Sequence, residues 1–182
     1  MLEVEMKFRL MDWSSLLNTL AAWGATAAPV RKDTDSYFNA PDRDFAQTDE
    51  AVRVRRIGLA NVLTYKGPKI DSPTKTRTEI ELKLADGPGP ATDAVRFLSG
   101  LGYRPVAVVT KTRTVYRFER HGFPIEVCLD DVGAVGKFVE VEVMATPEQF
   151  EAAQRAVMTT ATELGLTDQE RRSYLRLLLE RK

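Results

Sequence analysis

The stretch MLEVEMKFRL, residues 1–10, alternates without a break. Leu2, Val4, Met6, Phe8 and Leu10 share one face of a period-two strand, while Glu3, Glu5 and Lys7 share the other. Successive side chains of a strand point to opposite faces, so this is the pattern of a strand with one face in a core. A charged stripe on one such strand is explained by water. How often the pattern returns, and with which signs, decides whether it means more.

It returns in nearly every extended segment. In AVRVRR, Arg53 and Arg55 oppose Val52 and Val54; in NVLTYKG, Lys66 shares its face with Val62 and Thr64. In KTRTEIELKL, Arg77, Glu79, Glu81 and Lys83 oppose Ile80, Leu82 and Leu84. Lys111, Arg113 and Arg117 share a face of VAVVTKTRTVYRFER, and Glu126 and Asp130 oppose Ile125, Val127 and Leu129 in PIEVCLDDV. Glu140 and Glu142 oppose Val139, Val141 and Val143 in GKFVEVEVMA. Each strand alone fits a solvated face with cross-strand ion pairs. As a set they do not, because these faces carry paired carboxylates or paired cations, segregated strand by strand, in place of neutral polar residues.

The helical segments sharpen the argument. Asp12 or Ser14 can cap a helix through Leu16, Leu17, Leu20 and Trp23, with Gly24 as its stop, and Thr92 can cap another through Val95, Leu98 and Leu101. Thr146-Pro147-Glu148-Gln149 is a capping box leading to Phe150, Val157 and Leu164. Thr167 and Glu170 form a second box, opening a helix with Leu175, Leu178 and Leu179. PDRDFAQTDE and PKIDSPTK read as polar loops, the latter exposed. About eight strands and four helices result, and no linker divides residues 1–182, so one domain is expected.

Four amphipathic helices need apolar surface, and each strand offers one apolar face. If the helices cover that face from outside, the charged faces turn inward. The expected fold is α+β: an eight-stranded antiparallel closed β-barrel with helices packed outside, wide enough for one small ligand. Enclosed like charges repel by roughly 4 kcal/mol per pair at 4 Å and an effective dielectric near 20. Neither sign can therefore stand alone there. Clustered Arg and Lys bind phosphate oxygens, and carboxylates without His or Cys suit Mg²⁺ or Mn²⁺. Both together point to a metal–polyphosphate complex.

Composition excludes other classes. Lys plus Arg and Asp plus Glu number 26 each, which argues against nucleic-acid or membrane-surface partners. Cys128 and His121 are single, so neither an internal disulfide nor a Cys/His zinc site is expected. His121 lies in ERHGFP, a hairpin turn, away from any nucleophile. Without a secretion-signal pattern or an apolar run of about 18 residues, a cytoplasmic protein is expected. Cys128 falls on a polar face by parity without a nucleophile's partner, and Tyr37 and Phe38 read as buried strand aromatics ahead of a base-binding role.

Several motifs in order resemble the CYTH superfamily, the triphosphate tunnel metalloenzymes. They are Glu3-Val4-Glu5-Met6-Lys7, YFNAP at 37–41, Arg53 with Arg55, and YKGPK at 65–69. RTEIE at 77–81, KTR at 111–113, LDDVGAVGKFVEVE at 129–142 and SYLRLLL at 173–179 follow. The resemblance implies a barrel that holds a triphosphate with Mg²⁺ or Mn²⁺. It assigns Glu3, Glu5, Glu140 and Glu142 to the metal, with Glu79, Glu81 and Asp130 contributing directly or through water. Lys7, Arg53, Arg55, Lys66, Lys111 and Arg113 match its phosphate-binding cations, and strand parity adds Arg77, Lys83, Arg117 and Glu126. Lys7, Glu5 and Glu140 form the expected catalytic set.

Within that superfamily, YFNAPDRDFAQTDEAVRVR and YKGPK resemble the class IV adenylyl cyclase branch, which implies conversion of ATP to cyclic AMP and pyrophosphate. Either a monomer or a homodimer is expected, and the sequence does not choose between them. Hydrolysis of an inorganic, thiamine or nucleoside triphosphate would use the same tunnel. A non-catalytic polyphosphate-binding module would not need four metal carboxylates.

Overall fold

A computed structural model describes residues 1–70 and 73–181; Asp71 and Ser72 of the PKIDSPTK segment, and Lys182, lie outside the described residues. In chain order the elements are β1 (Leu2–Arg9), α1 (Ser14–Ala22), β2 (Thr26–Ala27), β3 (Arg31–Asn39), α2 (Phe45–Thr48), β4 (Ala51–Ile57) and β5 (Ala60–Lys66). They continue as β6 (Arg77–Leu84), α3 (Pro90–Gly100), β7 (Arg104–Arg120), β8 (Phe123–Asp131), β9 (Lys137–Ala145), α4 (Phe150–Glu163) and α5 (Tyr174–Leu179). All pairings are antiparallel.

Eight strands close in the order β3-β4-β5-β6-β1-β9-β8-β7 and back to β3. The 17-residue β7 makes closure possible. Its residues 104–113 pair with β3, and its residues 112–120 pair with β8. The two-residue β2 is an addition beside Tyr116 and Arg117. Closure removes edges and gives each strand an inner and an outer side.

The outer side holds the larger core. Val4, Met6 and Phe8 of β1, Ile125, Val127 and Leu129 of β8, and Val139, Val141 and Val143 of β9 pack against Leu16 and Leu20 of α1 and Val157 of α4. A second outer cluster joins Val52 and Val54 of β4 to Ala91 and Leu98 of α3. Helices do not cover the outer face everywhere: Ile80 and Leu82 of β6 are 51% and 56% exposed. A third cluster is inside, where Tyr174 and Leu177 of α5 meet Tyr37, Val109 and Phe138. No helix among the described residues is long and apolar enough to cross a membrane.

Local starts and stops follow the expected chemistry in part. The 146–149 capping box forms, whereas the N-cap position of α1 is Trp13, with neither Asp12 nor Ser14 in that place. Asp12 accepts from the Ser14 N–H at 2.9 Å just ahead of the helix. Other expectations are corrected. Helix α3 opens at Pro90, ahead of Thr92, because proline suits the first turn. The 41–50 loop contains the one-turn α2, capped by Asp44. The Thr167/Glu170 box does not start α5, which is capped by Ser173 through the Arg176 N–H at 3.1 Å. Glu170 is drawn instead to Arg9 and Arg172.

One seam positions the site. β1 pairs with β9 over its whole length, but with β6 only at Leu2 and Glu3. The rest of that edge is completed by two segments outside the strands. The Lys75 N–H donates to the Glu5 carbonyl at 2.8 Å. Further along, the Glu170 N–H donates to the Lys7 carbonyl, and the Arg9 N–H to the Asp168 carbonyl, each at 2.8 Å. Thr74 and Lys75 are consequently buried, not exposed as the loop reading has it, and Thr76 beside them is buried as well.

If the outer core carries the stability, Leu20→Ala should cost about 2–5 kcal/mol through cavity formation. The readout is a lower urea midpoint at unchanged slope. A loss below about 0.5 kcal/mol, the range of surface changes, would show that α1 does not anchor the barrel.

Candidate active site

The charged faces converge on one cavity of roughly 1170 Å³. It is lined by Glu3, Glu5 and Lys7 from β1, Arg53 and Arg55 from β4, Lys66 from β5, and Arg77, Glu79 and Glu81 from β6. Lys111 and Arg113 from β7, Glu126 from β8, and Glu140 and Glu142 from β9 complete that wall. Asp130 is fully buried behind the lining. Lys83 is exposed, and Arg117 is half exposed at 53%, paired with Glu126 at 2.7 Å. Strand parity places both on the inner side of their strands, but β6 and β7 run past the cavity there, so neither joins it.

The carboxylates divide into two kinds. Glu3, Glu5 and Glu142 each offer an oxygen within 4.8 Å of the others. Glu3 accepts from Lys66 at 2.6 Å, and Lys66 also reaches Glu79 at 3.0 Å. Glu5 accepts from Lys75 at 3.0 Å. Glu142 has no hydrogen bond or ion pair among the described residues. Burial, opposed by Arg113 and reinforced by Glu3, Glu140 and Glu5, pushes its pKa up to about 8.

A carboxyl left without a cation beside two others is a charge arrangement that a divalent ion would relieve, and oxygen donors alone fit Mg²⁺ or Mn²⁺. The residues present therefore fit such an ion. Glu126, Cys128 and Glu142 also approach one another within 4.8 Å. However, burial, with Glu142 adding to it, raises the Cys128 thiol well above its usual pKa, and a protonated thiol is a poor ligand.

Glu140 belongs to the cation wall. It takes a very short hydrogen bond from Arg113. Although burial opposes ionisation, Arg113, Lys111, Lys7 and Lys75 hold it well below the usual carboxylate range. Asp130 is similar: Lys111 donates to it at 3.1 Å, Arg113 at 2.7 and 2.5 Å, and the Tyr174 hydroxyl at 2.9 Å. Its oxygens are engaged in aiming the two cations of β7.

Asp35 does the same for β4. Arg55 grips it through two bonds of 2.6 and 2.7 Å, and Arg53 stands at 3.6 Å. Burial opposes its ionisation, and Arg53 with Arg55 overcomes that and lowers its pKa. The Lys7 ammonium donates to the Arg172 carbonyl at 2.6 Å and lies 4.1 Å from the Tyr174 ring centre. Burial and then Lys75, against Glu140 and Glu5, bring its pKa down to about 7.

Sequence reasoning missed three participants. Asp35 had a signal, since it shares its face with Tyr37 in DTDSY. Tyr174 lay in SYLRLLL without any mark of its contact with Asp130. Lys75 stood where the PKIDSPTK loop meets the KTRTEIELKL strand, and nothing local announces that its backbone joins β1.

A closed barrel enclosing segregated cations and oxygen donors defines the class, and the comparisons supply the family. The CYTH domain family matches residues 1–174, and the chain belongs to it. The Aeromonas hydrophila protein named "Adenylate cyclase CyaB" is 30% identical over 94% of this chain and 86% of that protein. Protein MJ0240 of Methanocaldococcus jannaschii, which carries a provisional adenylate cyclase name, is 38% identical over 78% of this chain and 77% of that one. The solved structure of the PH1819 protein from Pyrococcus horikoshii OT3 superposes with a TM-score of 0.85 at 35% identity, over 99% of both chains.

The raised pKa of Glu142 has a stability consequence. Its folded value of about 8 lies above the ordinary 4.5. Its contribution is thus fully present below about pH 4.5 and is lost as pH rises toward 8. Lys7, lowered from 10.5 to about 7, acts with the opposite sign above pH 7. Metal-free protein should therefore lose melting temperature between pH 5 and 7, and Glu142→Gln should flatten that slope. Equal slopes in both proteins would refute the assignment.

Proposed function

We propose that this protein is a divalent-metal-dependent enzyme that converts ATP to cyclic AMP and pyrophosphate, with the triphosphate held in the barrel. The observation that carries this reading is the facing of two sets across one cavity: the Glu3/Glu5/Glu142 oxygens, and the Arg and Lys wall braced by Asp35, Asp130 and Glu140. A triphosphate bridging to a metal neutralises both sets. The cavity exceeds what three phosphates need, and Val106, Met144 and Leu179 add apolar lining for an organic group. The adenylate cyclase name of the Aeromonas relative supports the nucleotide assignment.

In this reaction the ribose 3′-oxygen bonds to the α-phosphorus while the bond from that phosphorus to the α–β bridging oxygen breaks. Pyrophosphate leaves with the bonding pair, and the hydroxyl proton passes to solvent. Mg²⁺ or Mn²⁺, when bound, would supply charge neutralisation at the phosphate oxygens and a lowered pKa for the 3′-hydroxyl. Glu3, Glu5 and Glu142 would hold it, with Glu79 and Glu81 beside them. Arg53, Arg55, Lys66, Arg77, Lys111 and Arg113 grip the phosphate oxygens, and Glu140 aims Arg113. Lys7, near neutrality on its own, becomes a firm cation once a phosphate approaches, because an anion raises an ammonium pKa. Such fixed charges act where negative charge builds in the transition state.

Product analysis of purified protein with ATP and Mg²⁺ or Mn²⁺ tests this directly. Cyclic AMP with pyrophosphate is expected. ADP with orthophosphate, or cleavage of tripolyphosphate or thiamine triphosphate in place of ATP, would make the protein a triphosphatase. Tripolyphosphate binding without turnover, equally tight with and without Mg²⁺, would make it a binding module. Glu5→Ala and Glu140→Ala should each lower turnover by about 100-fold or more, on the scale of losing one preorganised electrostatic contact. Unchanged metal-dependent rates would remove those residues from the machinery.

A further inference from the structure

Lys75, like Lys69, Arg171 and Arg172, is delivered to the cavity wall by neither a strand nor a helix, and it is paired with a carboxylate of the clustered oxygen donors. The Lys75 N–H is bonded to the Glu5 carbonyl at 2.8 Å, so its main chain is pinned to β1 beside the residue its side chain pairs with. Thr74 and Thr76, on either side, are buried and share a hydroxyl hydrogen bond of 2.7 Å. Thr76 also bridges to Ile70, and Gln169 reaches back to the Pro73 carbonyl at 3.0 Å. The ammonium then stands 3.0 Å from Glu5 Oε1, among the three oxygen donors that fit a divalent ion.

Lys66 stands in a related position on Glu3, with one difference. It has a second carboxylate, Glu79, at 3.0 Å, and can keep an ion pair if Glu3 turns to a metal. Glu5 is the one ion-pair partner of Lys75 among the described residues. Glu140, the other acid near it, is already held by Arg113. An ammonium and a divalent ion cannot share the Glu5 carboxylate without like-charge repulsion. When Glu5 turns to a metal, Lys75 is left a buried cation without a partner, which is costly unless another anion arrives.

We propose that Lys75 is the counter-ion that occupies Glu5 before a metal binds, and that metal binding displaces its ammonium onto the triphosphate. This rests on the metal-and-triphosphate reading above and adds a coupling to it. Lys75 opposes the metal when triphosphate is absent and favours the ternary complex when triphosphate is present. The two ligands therefore bind cooperatively, and linkage makes the effect reciprocal. An ordinary phosphate-binding lysine would alter triphosphate affinity and leave metal affinity alone.

Mn²⁺ binding, followed by the electron paramagnetic resonance of the free ion, tests the proposal with and without tripolyphosphate. Lys75→Gln and Lys75→Met remove the charge, Lys75→Arg retains it, and thermal melting identifies the variants that fold. Without tripolyphosphate, the neutral variants should bind Mn²⁺ about tenfold more tightly, the scale on which a nearby charge shifts a carboxylate equilibrium. With Mn²⁺ present, they should bind tripolyphosphate about tenfold more weakly, and Lys75→Arg should follow the wild type in both. Mn²⁺ affinity unchanged or weakened in a folded neutral variant overturns the role of Lys75. If Glu142→Gln still abolishes Mn²⁺ binding in that case, the metal site stands and Lys75 alone is refuted. A wild-type protein that takes up no Mn²⁺ overturns both.

Discussion

Everything in this protein is arranged around one electrostatic constraint: a closed sheet encloses many charges of both signs, most of them buried side by side around one cavity. In such a space each charge needs an opposite one nearby or it neutralises. Asp35 beneath Arg53 and Arg55, and Asp130 beneath Lys111 and Arg113, meet that need on the cation side. On the other side Lys66 and Lys75 meet it for Glu3 and Glu5, and Glu142 is the member left over. Lys7 and Arg77 are the lining cations of strands β1 and β6 that have no ion pair among the described residues, so the unpaired members of the interior are of both signs.

These ion pairs are not what holds the barrel together. Removing two charges from water costs about as much as their attraction returns, so buried pairs are weak sources of net stability. Stability comes from outside, where Val139, Val141 and Val143 and their neighbours are sealed under α1 and α4. Because strand side chains alternate, each of these strands contributes one face to the core and the other to the site. An outer apolar scaffold can then fix inner charges without sharing residues with them. The exception is the inner cluster of Phe138, Tyr37 and Tyr174, where a ring packs in the core and its hydroxyl braces Asp130.

The seam between β1 and β6 adds a second level of organisation. A fully paired barrel would present only strand residues to its interior. By parting after Leu2 and Glu3, β1 leaves its edge open to the 73–76 and 168–170 segments. One of them brings Lys75 onto Glu5, and the other leads to Tyr174 and the Arg172 carbonyl that holds Lys7. Residues far apart in the chain thus meet on β1, the strand that carries two of the three clustered carboxylates.

The sequence by itself determined the alternation, and with it the strands, the inward direction of the charges and the kind of ligand they suit. These are local properties, since a period of two is readable from neighbours along the chain. It determined the turn at 147–149 that leads into α4 equally well, because a capping box is complete within four residues. It could not assign partners inside the barrel. Glu140 and Glu142 are two residues apart and read identically, yet one is locked to Arg113 and the other stands unpaired. That difference follows from register across closure, which sets which side chains of separate strands come within 3 Å. The same holds for Lys75 and for the start of α5, where Glu170 left a local capping role for Arg9, 161 residues away. Long-range pairing decided these cases, and no local pattern encodes it.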